Sequence, residues 1–81
     1  MSKAINVLYF ASLRERTGVA QETWQSSAAD LASLYEELAA HHALCWPRAQ
    51  LRVAVDGAFA AWEQPLREGS EVVFIPPVSG G

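Results

Sequence analysis

Apolar residues group along the chain into short runs with the spacing of strands and one longer run with the spacing of a helix. The first run, residues 5–10, is rich in β-branched and aromatic side chains and predicts a strand. Both of its faces are mostly apolar, with Ile5, Val7 and Tyr9 on one and Leu8 and Phe10 on the other. Such a strand is buried on both faces, or it is buried on one and meets a partner on the other.

Two helices are predicted. Residues 11–16 predict a short helix that ends at Gly18. A longer helix presents one apolar face at the spacing i, i+3, i+4, i+7, formed by Leu31, Leu34, Tyr35 and Leu38. Ser27 and Asp30 resemble a capping box at its start, and we expect it to end near residues 41–42.

Further strands flank and follow the long helix. Strand-like runs recur at residues 19–25, 51–55, 58–62 and 71–75, the first of them the weakest and the last almost wholly apolar. Asp56-Gly57, between two of these runs, is a strong signal for a two-residue hairpin turn. Residues 64–69 predict a turn before the last strand.

The predicted order of elements is strand, short helix, strand, long helix, hairpin and strand. With one main helix on one face of a mixed sheet, this order indicates the α+β class, and the β-grasp (ubiquitin-like) arrangement has it. In that arrangement the first and last strands are adjacent in the middle of the sheet, which accounts for their apolar character. We expect a β-grasp domain over residues 1–75 and an extended C-terminal tail over residues 76–81. An open sheet face should be shared by Leu8, Phe10, Val73 and Ile75, with an ordinary two-sided core as the alternative.

The composition is that of one small folded domain. The sequence has 81 residues, of which 51% are hydrophobic and 19% charged. A domain of this size buries only about 60% of the surface that its unfolded chain exposes, so surplus apolar residues at the surface indicate a partner. The net charge is −3 and the basic residues form no cluster, which argues against nucleic-acid binding. No signal peptide or transmembrane stretch is evident, so we expect a cytoplasmic protein without a membrane partner.

No residue pattern predicts that the chain is itself an enzyme. The sequence contains no phosphate-binding loop and no HExxH motif. We expect Cys45 to be a small buried side chain, and His41 and His42 to be solvated at a helix end, so no metal site is predicted. The carboxylates are scattered, and their plain interpretation is solubility. The three tryptophans are expected to pack at the core or its rim.

The tail combines a stiff start with a slim tip. Its residues are, in order, Pro76, Pro77, Val78, Ser79, Gly80 and Gly81. The prolines hold the backbone extended, and six extended residues span about 20 Å, enough to enter another protein's active site. A terminal glycine leaves its carboxyl carbon unhindered, but an α-carboxyl with a pKa of about 3.5 is an anion that resists nucleophiles. It must be activated, most simply as an anhydride with AMP, and without an ATP site in the chain another enzyme must do this.

Three stretches of the sequence resemble the small subunit of molybdopterin synthase, a family of ubiquitin-like sulfur carriers. They are VLYFASLRERTG (residues 7–18), VAVDG (residues 53–57) and PLREGSEVVFIPPVSGG (residues 65–81). The last is the most specific, because a terminal Gly-Gly follows an apolar strand and a Pro-Pro pair. The resemblance covers essentially the whole chain, although residues 21–51 match only in pattern.

This resemblance implies which steps involve the chain itself and which steps its partners catalyse. An adenylating enzyme, which uses ATP, activates the terminal carboxylate, and a sulfur donor converts it to a thiocarboxylate. The carrier inserts its tail into the large synthase subunit, within a heterotetramer, and gives sulfur to a cyclic pterin precursor in molybdenum cofactor biosynthesis. The chain itself binds no cofactor and is a non-catalytic subunit of this sulfurtransferase complex. The implied site comprises the reactive tip, Gly80 and Gly81, and the partner-binding residues Leu8, Phe10, Arg14, Val73, Ile75, Pro76, Pro77, Val78 and Ser79.

Other functions remain open from the sequence. One is a sulfur carrier for another pathway, such as thiazole synthesis, although those carriers usually lack the Pro-Pro pair. Another is a ubiquitin-like modifier that forms an isopeptide bond through Gly81, or a binding module whose tail is idle. Arg14 is equally compatible with a solvated surface position.

Overall fold

The elements follow the predicted order in the computed structural model, which describes residues 2–76. The strands and helices are, in chain order, β1 (Lys3–Tyr9), α1 (Ala11–Thr17), β2 (Gln21–Ser26), α2 (Leu31–His42), β3 (Arg52–Val55), β4 (Ala58–Ala60) and β5 (Glu71–Ile75). A short 3-10 helix, Arg48–Gln50, precedes β3. The first four of these elements alternate between strand and helix, and the last three are all strands. This mixture confirms the predicted α+β class.

The strands form one mixed sheet in the order β2-β1-β5-β3-β4. β1 and β5 run parallel, and the other neighbouring pairs are antiparallel. The first and last strands therefore lie side by side in the middle of the sheet, as the β-grasp arrangement predicts. Because parallel strands point the same way, β1 and β5 end at the same end of the sheet.

The core lies between α2 and one face of the sheet. Each strand supplies alternate side chains to this face, because successive side chains of a strand point to opposite sides. The buried apolar side chains of the three central strands are Ile5, Val7, Tyr9, Val53, Val72 and Phe74, and those of α2 are Leu31, Leu34, Tyr35 and Leu38. Burial of each such side chain contributes roughly 1.5–3 kcal/mol. α1 adds Leu13 to the same core, so both helices serve one sheet face and leave the other uncovered.

A tight turn fixes the register of the β3–β4 hairpin. Asp56 and Gly57 form its two-residue loop, with φ values of 50° and 89°. Two positive φ values are typical of a type I′ turn, whose twist matches that of the flanking strands and which favours Asp-Gly. The Asp56 carboxylate also accepts a hydrogen bond from the Glu71 backbone N–H at 2.9 Å, which holds the turn against the start of β5.

α2 begins directly after Asp30, so the predicted Ser27-Asp30 capping box is wrong. Asp30 is itself the N-cap, because its backbone is extended and its Oδ1 accepts a hydrogen bond from the Ser33 N–H at 2.8 Å. A carboxylate at this position satisfies a backbone N–H that the first helical turn leaves unpaired, and this hydrogen bonding to Ser33 lowers the pKa of Asp30. The helix ends at His42, as predicted, where Ala43 adopts a left-handed conformation with φ 55°.

The segments beside the hairpin differ from the prediction. β4 stops at Ala60, before the predicted end at Trp62, and the Trp62 ring stacks on that of Phe74 with centroids 6.0 Å apart. Cys45 is exposed, so the prediction that it is buried is wrong. Its neighbours on both sides, Leu44 and Trp46, pack against the core, and this turns the residue between them outward.

Trp24, Trp46 and Trp62 are partly buried against the core, which confirms the packing predicted for the tryptophans. Between residues 2 and 76, no helix has the length and apolar character needed to cross a bilayer. The same part of the chain groups no three His, Cys, Asp or Glu side chains in a way that could hold a metal ion.

Candidate functional site

A band of apolar side chains crosses the uncovered face of the sheet. The register places Leu8 of β1 beside Val73 of β5, and Val73 beside Ala54 of β3. Ala54 in turn pairs with Phe59 of β4, so one row of side chains crosses β1, β5, β3 and β4. Ile75 widens this row at the end of β5. We refer to Leu8, Ala54, Phe59, Val73 and Ile75 as the apolar strip.

The apolar strip is open to solvent. Phe59 is 69% exposed, and the rest of the strip is partly exposed. Phe10 follows β1 with an extended backbone, which places its side chain on the same side as Leu8, and it is 51% exposed. Large apolar side chains exposed together mark protein-binding surfaces. The predicted open face, shared by Leu8, Phe10, Val73 and Ile75, is confirmed, while its role in partner binding stays a prediction.

The tail begins at the end of the strip that carries Ile75. β5 ends at Ile75, and Pro76, the first tail residue, is buried. The other predicted site residues of the tail lie outside the described residues: Pro77, Val78, Ser79, Gly80 and Gly81. Ile75 pairs with Arg52 in the β3–β5 ladder, so an apolar and a basic residue flank the point where the tail starts.

Sequence reasoning missed Arg52, Ala54 and Phe59 as parts of this face. The signal lay in the hairpin, because a two-residue turn after Val55 forces Phe59 opposite Ala54. Alternation then places both on the face away from the core. Strand register, rather than the hydrophobicity of any one residue, identifies Phe59 as a surface aromatic.

The two arginines of α1 differ in what they bind. Arg16 Nε donates a hydrogen bond to the Ala43 carbonyl at 3.1 Å, which ties α1 to the end of α2. Arg14 is exposed, and within residues 2–76 its side chain takes part in no salt bridge or hydrogen bond. Because α1 follows β1 directly, Arg14 lies near the end of the sheet where the tail starts, without joining the apolar strip.

On the core side of the sheet, three polar side chains join β1, β2 and α2. The Tyr9 hydroxyl donates a hydrogen bond to Glu22 Oε2 at 2.6 Å. The same oxygen lies 2.7 Å from His42 Nε2, and the Tyr9 and His42 rings meet edge to face at 5.6 Å. Because an ionised carboxylate only accepts hydrogen bonds, His42 Nε2 carries the proton. We refer to these residues as the Tyr9–Glu22–His42 cluster.

Burial and hydrogen bonding set the charge of this cluster. Burial, reinforced by the hydrogen bond to Glu22, raises the pKa of the Tyr9 hydroxyl, which therefore stays a donor. Burial acts to raise the pKa of Glu22 as well, but the hydrogen bonds from Tyr9 and His42 outweigh it and lower the pKa of this carboxyl. The interpretation of Glu22 as merely solubilising is therefore wrong, and His42 is hydrogen-bonded rather than solvated.

A second polar link joins α2 to β2. Glu37 Oε1 accepts hydrogen bonds from Trp24 Nε1 at 3.1 Å and from Ser26 Oγ at 2.8 Å. The His41 ring packs on that of Trp24 at 4.9 Å while remaining exposed, as predicted for His41. With the Tyr9–Glu22–His42 cluster, this link fixes the C-terminal half of α2 over the sheet and corrects the solubilising interpretation of Glu37.

Replacing Glu22 with glutamine should make the domain less stable at neutral pH but not in acid. The folded-state pKa of Glu22 is lowered from its ordinary value of 4.5, so its ionised form stabilises the fold above that value. That contribution is lost as the pH falls through the folded-state value. We expect Glu22→Gln to reduce the free energy of unfolding by about 1 kcal/mol at neutral pH. Urea unfolding followed from neutral to acidic pH measures the difference.

The matched control for this prediction is Glu15→Gln. Glu15 is exposed on α1, and its side chain makes no hydrogen bond within the described range. An equal loss of stability in both variants contradicts the prediction, and so does a Glu22→Gln deficit that persists unchanged in acid.

The described residues place apolar and cationic side chains at the same end of the sheet. The apolar strip offers area whose removal from water favours docking. Arg14 and Arg52 offer cations near the start of the tail. The reacting group, by the prediction from sequence, is the Gly81 carboxylate beyond the described range.

Comparison of sequences gives the family of the chain. A family model described as the ThiS family matches residues 7–81. The molybdopterin synthase sulfur carrier subunit of Escherichia coli (strain K12) is 34% identical to this chain over 80 residues. The aligned residues cover 95% of this chain and 99% of that protein.

Solved structures agree on the fold. A Pyrococcus furiosus protein assigned as molybdopterin converting factor, subunit 1, matches with a TM-score of 0.79 and 28% identity, covering 95% of this chain and 100% of that one. A Caldiarchaeum subterraneum ubiquitin matches with a TM-score of 0.67 over 100% of both chains, and at 15% identity it shows the fold alone. The predicted ubiquitin-like β-grasp fold is thereby confirmed. The chain belongs to the ThiS family and, within it, to the family of molybdopterin synthase sulfur carrier subunits.

Proposed function

We propose that this chain is the sulfur carrier of a molybdopterin synthase and that Gly81 is the residue that carries the sulfur. A partner enzyme adenylates the Gly81 carboxylate, and a sulfur donor converts it to a thiocarboxylate. The sulfur then passes to a cyclic pterin precursor in molybdenum cofactor biosynthesis. The observation that carries the proposal is the match to a named sulfur carrier subunit over 95% of the chain, with a family match that reaches Gly81 itself.

The position of the apolar strip supports this function. Val73 and Ile75 belong to the strip, and the tail starts directly after Ile75. A protein that binds the strip therefore holds the start of the tail at a fixed position on the surface of that protein. Six extended residues span about 20 Å, which suits delivery of a slim tip into an active site set back from the docking surface.

The proposed chemistry takes place in two loading steps and one transfer. The Gly81 carboxylate attacks the α-phosphorus of ATP, which forms an acyl-adenylate and releases pyrophosphate. A sulfur nucleophile from the donor then displaces AMP, and a C–S bond replaces one C–O bond. The thiocarboxylate sulfur attacks a carbon of the pterin precursor, and a C–S bond forms as a C–O bond at that carbon breaks and the oxygen leaves. Water then cleaves the acyl C–S bond of the resulting thioester, which leaves the sulfur as a thiolate on the pterin and restores the carboxylate. Glycine at the last two positions keeps the acyl carbon open to each partner.

The partners in this proposal are a large synthase subunit and an ATP-dependent activating enzyme. Two carriers and two large subunits form a heterotetramer, in which the apolar strip, Phe10 and Arg14 contact the large subunit. The chain supplies no catalytic side chain and carries no cofactor apart from the modified terminus. It acts in the cytoplasm, without a nucleic acid or a membrane.

Intact-mass measurement tests the proposal. The chain incubated with the activating enzyme, ATP and a sulfur donor should gain the mass difference between sulfur and oxygen, and omission of ATP should prevent the gain. The loaded chain should return to its starting mass when the large subunit and the cyclic pterin precursor are added, with sulfur appearing on the pterin. No mass gain under complete conditions contradicts the proposal.

The same experiment separates the other functions. A sulfur carrier for another pathway gains sulfur but does not pass it to the pterin precursor. A protein modifier gives larger conjugates on a denaturing gel. An idle binding module shows neither change.

A further inference from the structure

A groove lies at the end of the β3–β4 ladder opposite its turn. It has a volume of about 170 Å³ and is lined by Leu51, Arg52, Val53, Phe59, Ala60 and Trp62. β3 begins and β4 ends at this groove, so it opens at the end of the sheet where β5 gives way to the tail. Cavities of about 150 Å³ hold a benzene-sized group, so the groove has room for one large apolar side chain.

The rim of the groove carries a cation held by an aromatic ring. The Arg52 guanidinium carbon lies 5.6 Å from the centroid of the Phe59 ring, within cation–π range. Arg52 also lies beside Ile75, on the same face as the apolar strip. Because Phe59 belongs to both the strip and the groove, the two surfaces are continuous.

Arg52 differs from its neighbour Arg48 in having no acidic partner within residues 2–76. Arg48 lies over the Trp62 ring at 5.9 Å and reaches Glu36 at 3.8 Å, so its charge is matched within the chain. The Arg52 guanidinium instead lies over the Phe59 ring, and the residue is exposed to solvent. A planar guanidinium in this setting suits bidentate pairing with a carboxylate.

We propose that the groove receives an apolar side chain of the protein that docks on the apolar strip, and that Arg52 pairs with a carboxylate beside that side chain. The occupant is therefore an acidic segment with an apolar anchor, presented next to the opening that takes the tail. The inference rests on the proposed function, since it assigns the occupant to the same partner. It is carried by the continuity of the groove with the strip through Phe59 and by the unmatched charge of Arg52 among the described residues.

This arrangement gives the carrier a means of selecting its partner. A protein with a basic residue at the corresponding position would meet the Arg52 guanidinium as a like charge, which disfavours that complex. A protein with a carboxylate there gains an ion pair at the rim of an apolar contact, where water is partly excluded. Apolar contact with the strip alone provides affinity but less discrimination.

Charge reversal at Arg52 tests the inference in the complex with the large subunit. We expect Arg52→Glu to raise the Kd at least about tenfold, and Arg52→Lys to recover part of this loss because lysine keeps the charge but not the planar fork. Added salt should weaken binding of the wild type more than binding of Arg52→Gln. Arg67→Glu is the matched control, because Arg67 is exposed in the turn before β5 and the substitution changes the net charge equally.

The outcomes separate this inference from the proposed function. Suppose that the wild type loads with sulfur and binds the large subunit, and that Arg52→Glu and Arg67→Glu bind the large subunit equally well. The inference about Arg52 is then overturned, while the proposed function stands. The inference is also overturned if the free wild-type chain self-associates and Arg52→Glu abolishes this self-association, because a second copy of the chain would then occupy the groove. If the wild type neither loads nor binds, the proposed function fails and the inference falls with it. Thermal melting of each variant establishes that the compared chains are folded.

Discussion

Deletion of Gly81 should abolish sulfur transfer and leave the melting temperature of the domain unchanged. The shortened chain places its terminal carboxylate about 3.5 Å away from the position that both partner sites are built to meet. Misplacement by about 1 Å can cost a hundredfold in rate, so the loss of a whole residue should remove measurable loading and transfer. The fold should tolerate the deletion because the buried apolar core runs from Ile5 to Phe74 and the last strand ends at Ile75.

Two further variants make this result specific to the tip. One extra residue after Gly81 moves the carboxylate outward and should be as inactive as the deletion. Glu15→Gln, at an exposed position of α1, leaves the whole tail unchanged, so it should load and transfer like the wild type. Intact mass reports loading, a pterin assay reports transfer and calorimetry reports the melting temperature. A deletion variant that still loads with sulfur, or one that melts markedly earlier, contradicts the assigned role of Gly81.

Phe10→Asp should weaken binding of the large subunit by at least about 2 kcal/mol, or roughly thirtyfold in Kd. Phe10 is 51% exposed beside the apolar strip, and exposed aromatic residues of this kind are the usual anchors of an interface. An aspartate at this position must lose its hydration on docking without gaining a partner. The domain should stay folded, because Phe10 is the N-cap of α1 without a side-chain cap bond, and aspartate is a favoured N-cap residue.

Ala40→Asp is the control for this substitution. Ala40 is exposed on α2, which covers the other face of the sheet, and its replacement adds the same charge. Titration calorimetry gives both dissociation constants, and thermal melting reports folding. Unchanged affinity of a folded Phe10→Asp chain would show that the partner docks on another surface.

The features that sequence predicted have a local physical cause. The spacing of Leu31, Leu34 and Leu38 defines α2, and Gly18 ends α1 because its φ of 82° suits glycine. The Asp56-Gly57 turn was predictable because only residues that tolerate positive φ form it readily. The central pairing of β1 with β5 is not local, and it followed from the apolar character of both faces of each strand together with the order of elements.

The features that sequence did not predict depend on neighbours that only the fold brings together. Glu22 and His42 are residue types that usually lie at the surface, and nothing in the sequence pairs them. The packing of α2 on β2 nevertheless places His42 Nε2 2.7 Å from Glu22 Oε2. The exposure of Cys45 depends on which of its neighbours reach the core. Phe59 was placed in a strand, but its position on the open face required the register of two antiparallel ladders.

The parallel pairing of β1 with β5 also sets when the domain can form. Among the described elements β5 is synthesised last, yet it occupies the middle of the sheet between β1 and β3. Until Glu71–Ile75 has left the ribosome, β1 and the β3–β4 hairpin have no strand to join them, and such non-local closure is slow. The apolar strip takes Val73 and Ile75 from this strand, so a chain that stops before Glu71 lacks part of the strip. The open face of the sheet is therefore complete only once Ile75, the residue directly before the tail, has been synthesised.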